Sequence, residues 1–209
     1  MKLSELSTAN FIKELSAKSP TPGGGSVAAF AGALGAALCA MVSRLTLGKE
    51  NYRAAWESME RTTAEADALA QQLLVLMEQD SLAYNEVVAA LKLPRETEQQ
   101  QTARSEAVQR ASRKAALVPL ETLRTVAGLV DVTRTVVEMG NPNCITDAGA
   151  AAHLARAAAH AAAYNVQINL GGMDDKVFAA DCGREVEEIL LRLDSIVSTR
   201  EDRVAAALR

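Results

Sequence analysis

Aromatic side chains are nearly missing from this 209-residue chain: they make up 3% of it, with a single tryptophan. Alternating strand patterns of useful length are missing too, as is any internal repeat. The apolar fraction is nevertheless 49%, much of it alanine. Alanine has the best helix propensity and a poor strand propensity, so the composition points to helices rather than sheets. No region concentrates charge of one sign. The formal net charge is −4, with no basic block and no interleaving of basic and aromatic residues, which argues against a nucleic-acid surface. Three cysteines, Cys39, Cys144 and Cys182, are too few and too irregularly spaced for a disulfide framework or a metal motif. They read as reduced thiols of a cytoplasmic protein. The N-terminus mixes acids and bases without a continuous apolar run, unlike a signal peptide. Charge is absent altogether from Ser26 to Ser43. That stretch is mostly alanine and glycine and barely reaches spanning length, so it reads as a buried central helix rather than a membrane span.

What is present is helical periodicity. Residues 8–17 form a short amphipathic pattern, which SPTPGGGS (19–26) interrupts. A helix follows over about 27–46, with Ala28, Gly32 and Ala36 stacked for close approach of another backbone. Residues 50–92 carry a stripe in steps of three and four: Met59, Thr62, Ala66, Leu69, Leu73, Leu76, Asp80, Ala83, Val87 and Ala90. Residues 95–103 are polar and read as a loop or helix entry. Helical pattern resumes over about 103–117, and Pro119 kinks or restarts it before a helix to about Met139. Thr146 or Asp147 caps a helix over 148–169, and Asp174 starts the last one. The sum is an all-α, multihelical antiparallel bundle with long helices, one domain over residues 1–209. Small side chains bury little area each, so self-association into a homodimer or higher homo-oligomer is expected.

Four constellations have chemical potential. In PTPGGGS, Gly23, Gly24, Gly25 and Ser26 precede a helix. Bare peptide N–H groups there suit a carboxylate, a phosphate or a polarised heterocycle oxygen, although a tight turn alone explains the glycines equally well. Asp80 sits in the core stripe, where burial costs several kcal/mol unless the carboxyl is paired or protonated. It is either an acid/base group or a register-setting polar residue. GNPNCITDAG (140–149) gathers Asn141, Asn143, Thr146 and Asp147 between two helices, where capping is the ordinary role. Asn165 and Asn169 lie one turn apart. Asp147 and Asn165 share an azimuth, but 18 residues of helix separate them by about 27 Å, too far for one small site within a subunit. His153, Arg156 and His160 form a stripe that reads as a solvated face. The two histidines are two turns apart, too far for a standard metal pair.

SPTPGGGSVAAFAGALGAALCAMVSRLTLGKENY, QDSLAYNEVVAALKLP and GNPNCITDAGAAAHLARAAAHAAAYNVQINL, in that order, resemble three blocks of the formimidoyltetrahydrofolate cyclodeaminase / methenyltetrahydrofolate cyclohydrolase family. The family commonly has Ser-Asp where this chain has Thr146-Asp147. The resemblance implies a dimerising helical fold with a folate cleft partly formed between subunits. It implies ammonia loss from 5-formiminotetrahydrofolate to give 5,10-methenyltetrahydrofolate, or hydrolysis of the methenyl bridge to 10-formyltetrahydrofolate. Under it Asp80 and Asp147 become catalytic candidates. Gly23 to Ser26, Asn141, Asn143, Thr146, Asn165 and Asn169 become ligand contacts. A reduced folate is the expected small-molecule partner, with no metal and no cofactor beyond that substrate, and no nucleic-acid or membrane partner. The composition alone also fits a non-catalytic helical assembly protein, which no reduced folate would stabilise.

Overall fold

In the computed structural model, which describes residues 2–209, six α-helices account for nearly all the chain. They are α1 (Thr8–Leu15), α2 (Gly24–Thr46), α3 (Trp56–Leu91), α4 (Glu98–Met139), α5 (Ile145–Leu170) and α6 (Lys176–Ala207). Short 3₁₀ turns precede α1, α3 and α5, and no strand occurs among the described residues.

The charge-free stretch forms α2, packed chiefly against α3 and α5 with α4 also in contact. It is the one described helix long and apolar enough to cross a membrane, and 61% of its apolar window is buried inside the bundle. Alanine makes this arrangement possible. Ala148, Ala151, Ala152, Ala155, Ala158, Ala159, Ala162 and Ala163 of α5 are all buried, as are Ala28, Ala29, Ala33, Ala36 and Ala40 of α2. Two glycines bring α2 closer still. A Cβ at Gly32 would lie 3.0 Å from Val126, and one at Gly35 would lie 3.1 Å from the Ala151 carbonyl. The α3 stripe turns inward as its spacing requires, with Met59, Thr62, Ala66, Leu73, Leu76, Ala83 and Ala90 buried. Helix α6 lies outside, against α4 and α5.

Four boundaries differ from the sequence reading. Helix α2 starts at Gly24, so two of the three glycines are helical. The polar run before residue 103 is helical from Glu98. A capping box starts it: the Thr97 side chain accepts from the Gln100 N–H, and the Gln100 side chain reaches back to the Thr97 N–H. Pro119 does not divide the helix, and α4 runs unbroken through it to Met139. Helix α5 begins at Ile145, so Thr146 and Asp147 lie in its first turn and cap nothing.

His153, Arg156 and His160 face α6 rather than solvent alone. Arg156 Nε and His160 Nε2 lie 2.9 and 3.0 Å from Asp194, and His153 Nδ1 lies 3.2 Å from Glu201.

Candidate active site

The core-stripe carboxyl and the glycine turn meet. Asp80, late in α3, lies directly against the first turn of α2. A Cβ on Gly25 would sit 2.0 Å from Asp80 Oδ1 and 2.6 Å from its Cγ, a space no side chain can share. Glycine is therefore required at position 25 by proximity to a carboxylate. Ser26 Oγ–H donates toward Asp80 Oδ2 at 2.9 Å, and the same oxygen lies 3.1 Å from the Met77 carbonyl and from Ser81 Oγ. The Ser26 backbone N–H also faces the carboxyl. Two effects oppose each other at Asp80. Burial pushes its pKa above the ordinary carboxylate value of 3.8, while the two Ser26 hydrogen bonds pull it down, and burial prevails. The result is a half-buried acid held more readily protonated than a surface aspartate.

Around it is a cleft of about 240 Å³ bounded by Pro20, Thr21, Gly23, Gly24, Gly25, Asp80, Tyr84, Ala115, Asn165, Ile168 and Asn169. The last turns of α5 supply the two asparagines. Asn165 Nδ2 donates to the Ala161 carbonyl at 2.8 Å and lies 3.3 Å from where a Cβ on Gly24 would be. Asn169 Nδ2 donates to the carbonyls of Asn165 (2.8 Å) and Ala115 (2.9 Å). Both carboxamide oxygens are left without a protein partner among the described residues, and so are the first-turn N–H groups of Gly24 and Gly25. The cleft thus offers one perturbed carboxyl, two acceptor oxygens and two backbone donors. A larger groove of about 700 Å³ shares Thr21 with it, and Glu5, Glu14 and Glu78 outnumber Lys2 there, so that groove repels anions.

Seven of the expected site residues, Asp80, Gly23, Gly24, Gly25, Ser26, Asn165 and Asn169, therefore converge. Asn141, Asn143, Thr146 and Asp147 lie at the other end of α5, about 27 Å away along the helix. Asn141 is buried and fully engaged. Its N–H donates to Thr46 Oγ1 (2.8 Å), its Nδ2 donates to the Leu45 carbonyl (3.3 Å), and its Oδ1 accepts from Tyr52 (3.2 Å) and from the Asn143 N–H (3.1 Å). Asn143 and Thr146 are exposed and Asp147 is half-exposed, and none of their side-chain atoms bonds within the described chain. Tyr84, Ile168 and Ala115 were not expected in a site. Tyr84 is one helical turn past Asp80, a spacing that flags it in hindsight. Ile168 adjoins Asn169 but carries no polar signal.

The thiols stand apart from this chemistry. Cys39 is buried and its pKa is pushed up to about 12, so it stays protonated. No group of three His, Cys, Asp or Glu side chains among the described residues is arranged to hold a metal ion.

Comparison with known proteins adds to this geometry. The profile of the formiminotransferase-cyclodeaminase family matches residues 7–188. A methenyltetrahydrofolate cyclohydrolase from Methylorubrum extorquens is 37% identical over 180 residues, 86% of each chain. A formimidoyltransferase-cyclodeaminase from Rattus norvegicus is 35% identical over 86% of this chain but 33% of its own length, so the chain spans about a third of that relative. Among solved structures, formiminotetrahydrofolate cyclodeaminase from Thermotoga maritima superposes with a TM-score of 0.90 over 100% of both chains, at 27% identity.

Proposed function

The chain belongs to the formiminotransferase-cyclodeaminase family, and on that premise we propose that it is a tetrahydrofolate one-carbon enzyme acting at the carbon between N5 and N10. The observation that carries this reading is the junction of Asp80 with Gly25 and Ser26, facing the acceptor oxygens of Asn165 and Asn169.

A reduced pterin presents an edge rich in N–H donors, and carboxamide oxygens are suitable acceptors for it. The free N–H groups of Gly24 and Gly25, at the positive end of α2, suit the pterin carbonyl oxygen. A cleft of about 240 Å³ falls below the roughly 300–1,000 Å³ that encloses a drug-sized ligand, so it fits the bicyclic head rather than an entire folate.

In the favoured reaction N10 attacks the carbon of the formimidoyl group in its protonated, amidinium form, and the N10 N–H proton must leave as the new C–N bond forms. The tetrahedral carbon then expels its amino group as ammonia once that nitrogen is protonated, leaving the 5,10-methenyl cation. Asp80 is suited to both transfers. Its carboxylate accepts the N10 proton, and its carboxyl, kept readily protonated by burial, donates to the departing nitrogen. The second reading, hydrolysis of the methenyl bridge to 10-formyltetrahydrofolate, is supported by the cyclohydrolase relative, 37% identical over 86% of each chain. There Asp80 takes a proton from the attacking water and returns it to N5 as that bond opens, while the second water proton is released to solvent as the formyl carbonyl forms. No metal or further cofactor takes part in either proposal.

Asp147, Asn143 and Thr146 fit the remaining part of the site if a second copy of the chain brings them to the Asp80 cleft. Their unengaged side chains and the small cleft support a homodimer or larger homo-oligomer with shared sites. In that arrangement Asp147 orients the attacking nitrogen or water while Asp80 moves the proton. Asn141 supports the loop that carries Asn143. A cytoplasmic location accords with this metabolic role.

Two measurements test the proposal. Supplying each folate separately and following the methenyl absorbance separates the reactions: it rises with 5-formiminotetrahydrofolate for a cyclodeaminase and decays with the methenyl compound for a cyclohydrolase. Neither change would remove the function. Asp80→Asn and Asp147→Asn are each expected to be nearly inactive yet folded. Their mixture, after subunit exchange, regains turnover only if the two carboxyls meet across copies.

A further inference from the structure

Proline in a helix interior removes one donor and pushes away one acceptor. It has no N–H for the carbonyl four residues earlier, and its ring crowds that same carbonyl and tilts it outward. In α4 the proline is Pro119, which is buried, and the carbonyl four residues back belongs to Ala115. That carbonyl is not left orphaned. It accepts from Asn169 Nδ2 on the neighbouring helix at 2.9 Å, and both Ala115 and Asn169 border the Asp80 cleft.

The second hydrogen of the same nitrogen goes to the Asn165 carbonyl at 2.8 Å. An atom that faces two carbonyl oxygens has to be the NH₂ of the carboxamide, so the flip of Asn169 is fixed by its surroundings. Its Oδ1, the one polar atom it has left, has no partner among the described residues and is the group it offers to the cleft. Without the carbonyl of Ala115, a single bond along α5 would hold the carboxamide, and the group would rotate more freely.

We propose that Pro119 is a positioning residue for the cleft: by turning the Ala115 carbonyl toward α5, it locks the Asn169 carboxamide with its oxygen toward the ligand as a fixed acceptor. The ligand chemistry that such an acceptor selects is an N–H-bearing edge, and a group offering only lone pairs there is disfavoured. The identity of that ligand rests on the folate reading above, whereas the locking of Asn169 does not.

The test uses the full chain with Pro119→Ala, Asn169→Ala and the double variant. Proline to alanine removes a helix-breaking residue, so Pro119→Ala is expected to melt at the same temperature as the wild type or higher. Its KM for the folate is nonetheless expected to rise about 3- to 10-fold, the loss of one well-held hydrogen bond, with kcat changed less than KM. In the Asn169→Ala background the same proline substitution is expected to leave KM unmoved, because the residue through which it acts is gone. An additive effect in the double variant would overturn the proposal.

A readout that needs no folate separates this inference from the functional reading. The side-chain NH₂ protons of Asn169, followed by NMR hydrogen exchange, are expected to be protected in the wild type and to exchange faster in Pro119→Ala. Equal protection in both overturns the proposal, whatever the enzyme acts on. A wild-type protein that binds no reduced folate but shows the protection difference removes the folate reading and leaves Pro119 its positioning role.

Discussion

The two ends of the α2/α5 pair carry the same kinds of polar residue and use them in opposite ways. At one end Asp80, Asn165 and Asn169 surround a cleft and keep hydrogen-bonding capacity in reserve. At the other, Asn141 is buried and each of its polar atoms already has a partner among Thr46, Leu45, Tyr52, Asn143 and Cys144. A polar side chain satisfied wholly by its own protein holds a loop in place. One whose partners are missing, beside a cavity, is prepared for something that arrives. The distinction lies in the bonding ledger rather than in residue type, and it can be broken by experiment.

The largest effect is expected at Asp80. Asp80→Asn keeps the volume and still accepts from Ser26, so folding should survive, while kcat falls by about 10²- to 10⁴-fold, the usual worth of a proton-transfer group. Far-ultraviolet circular dichroism alongside turnover checks both halves, and turnover near that of the wild type would dissolve the contrast. Next is Gly25→Ala, whose methyl occupies the place of Asp80 Oδ1. The carboxyl must move by an ångström or more, and a loss of about 10- to 100-fold in kcat is expected. At the other end Asn141→Ala should cost stability instead. Three hydrogen bonds to its side chain vanish, for a loss of about 2–3 kcal/mol. In a chain of this size that lowers the melting temperature by roughly 5–10 °C.

The smallest effect sharpens the comparison by its sign. The Asp80 pKa is raised in the folded protein, so the native state binds that proton more tightly than the unfolded chain does. The corresponding stability is fully present below the ordinary value of 3.8 and is lost as pH rises through the raised one. Asp80→Asn, which cannot ionise, should therefore melt above the wild type at neutral pH, with the gap narrowing on acidification. A wild type that stays the more stable at pH 7 would show that the carboxylate is better paired than its surroundings indicate.

Much of this was legible in the residues alone. The charge-free run over Ser26–Ser43 marks a central helix, and α2 has partners on several sides, although a strip with Leu34 and Ala37 stays exposed and the helix is not buried all round. The step of three and four through Met59, Leu73 and Ala83 places Asp80 among apolar neighbours, and so a buried carboxyl was visible before any fold was known. What stayed hidden was specific to tertiary structure. Three glycines look like a break, yet two are helical: Gly25 makes room for the Asp80 carboxyl and Gly24 lies against Asn165, each from a different helix. Pro119 looks like a boundary, yet α4 continues, because Asn169, fifty residues on, satisfies the carbonyl that proline abandons. Asn141 and Asn165 are indistinguishable as letters. Only their neighbours assign one to the framework and the other to the cleft.

The Gly32 and Gly35 contacts have a consequence for how this chain tolerates change. Helix α2 passes from its crossing with the α5 backbone, at Gly35, to the Asp80 junction at Gly25, about 15 Å along its axis. A methyl group added at the crossing obliges its neighbours to give by a few tenths of an ångström, because a backbone carbonyl stands 3.1 Å from where it would go. A rod displaced there carries the shift along its axis to the carboxyl. Inherited variation in the middle of the bundle is thus felt as a change in turnover before it is felt as a failure to fold, and the core and the chemistry drift together or not at all.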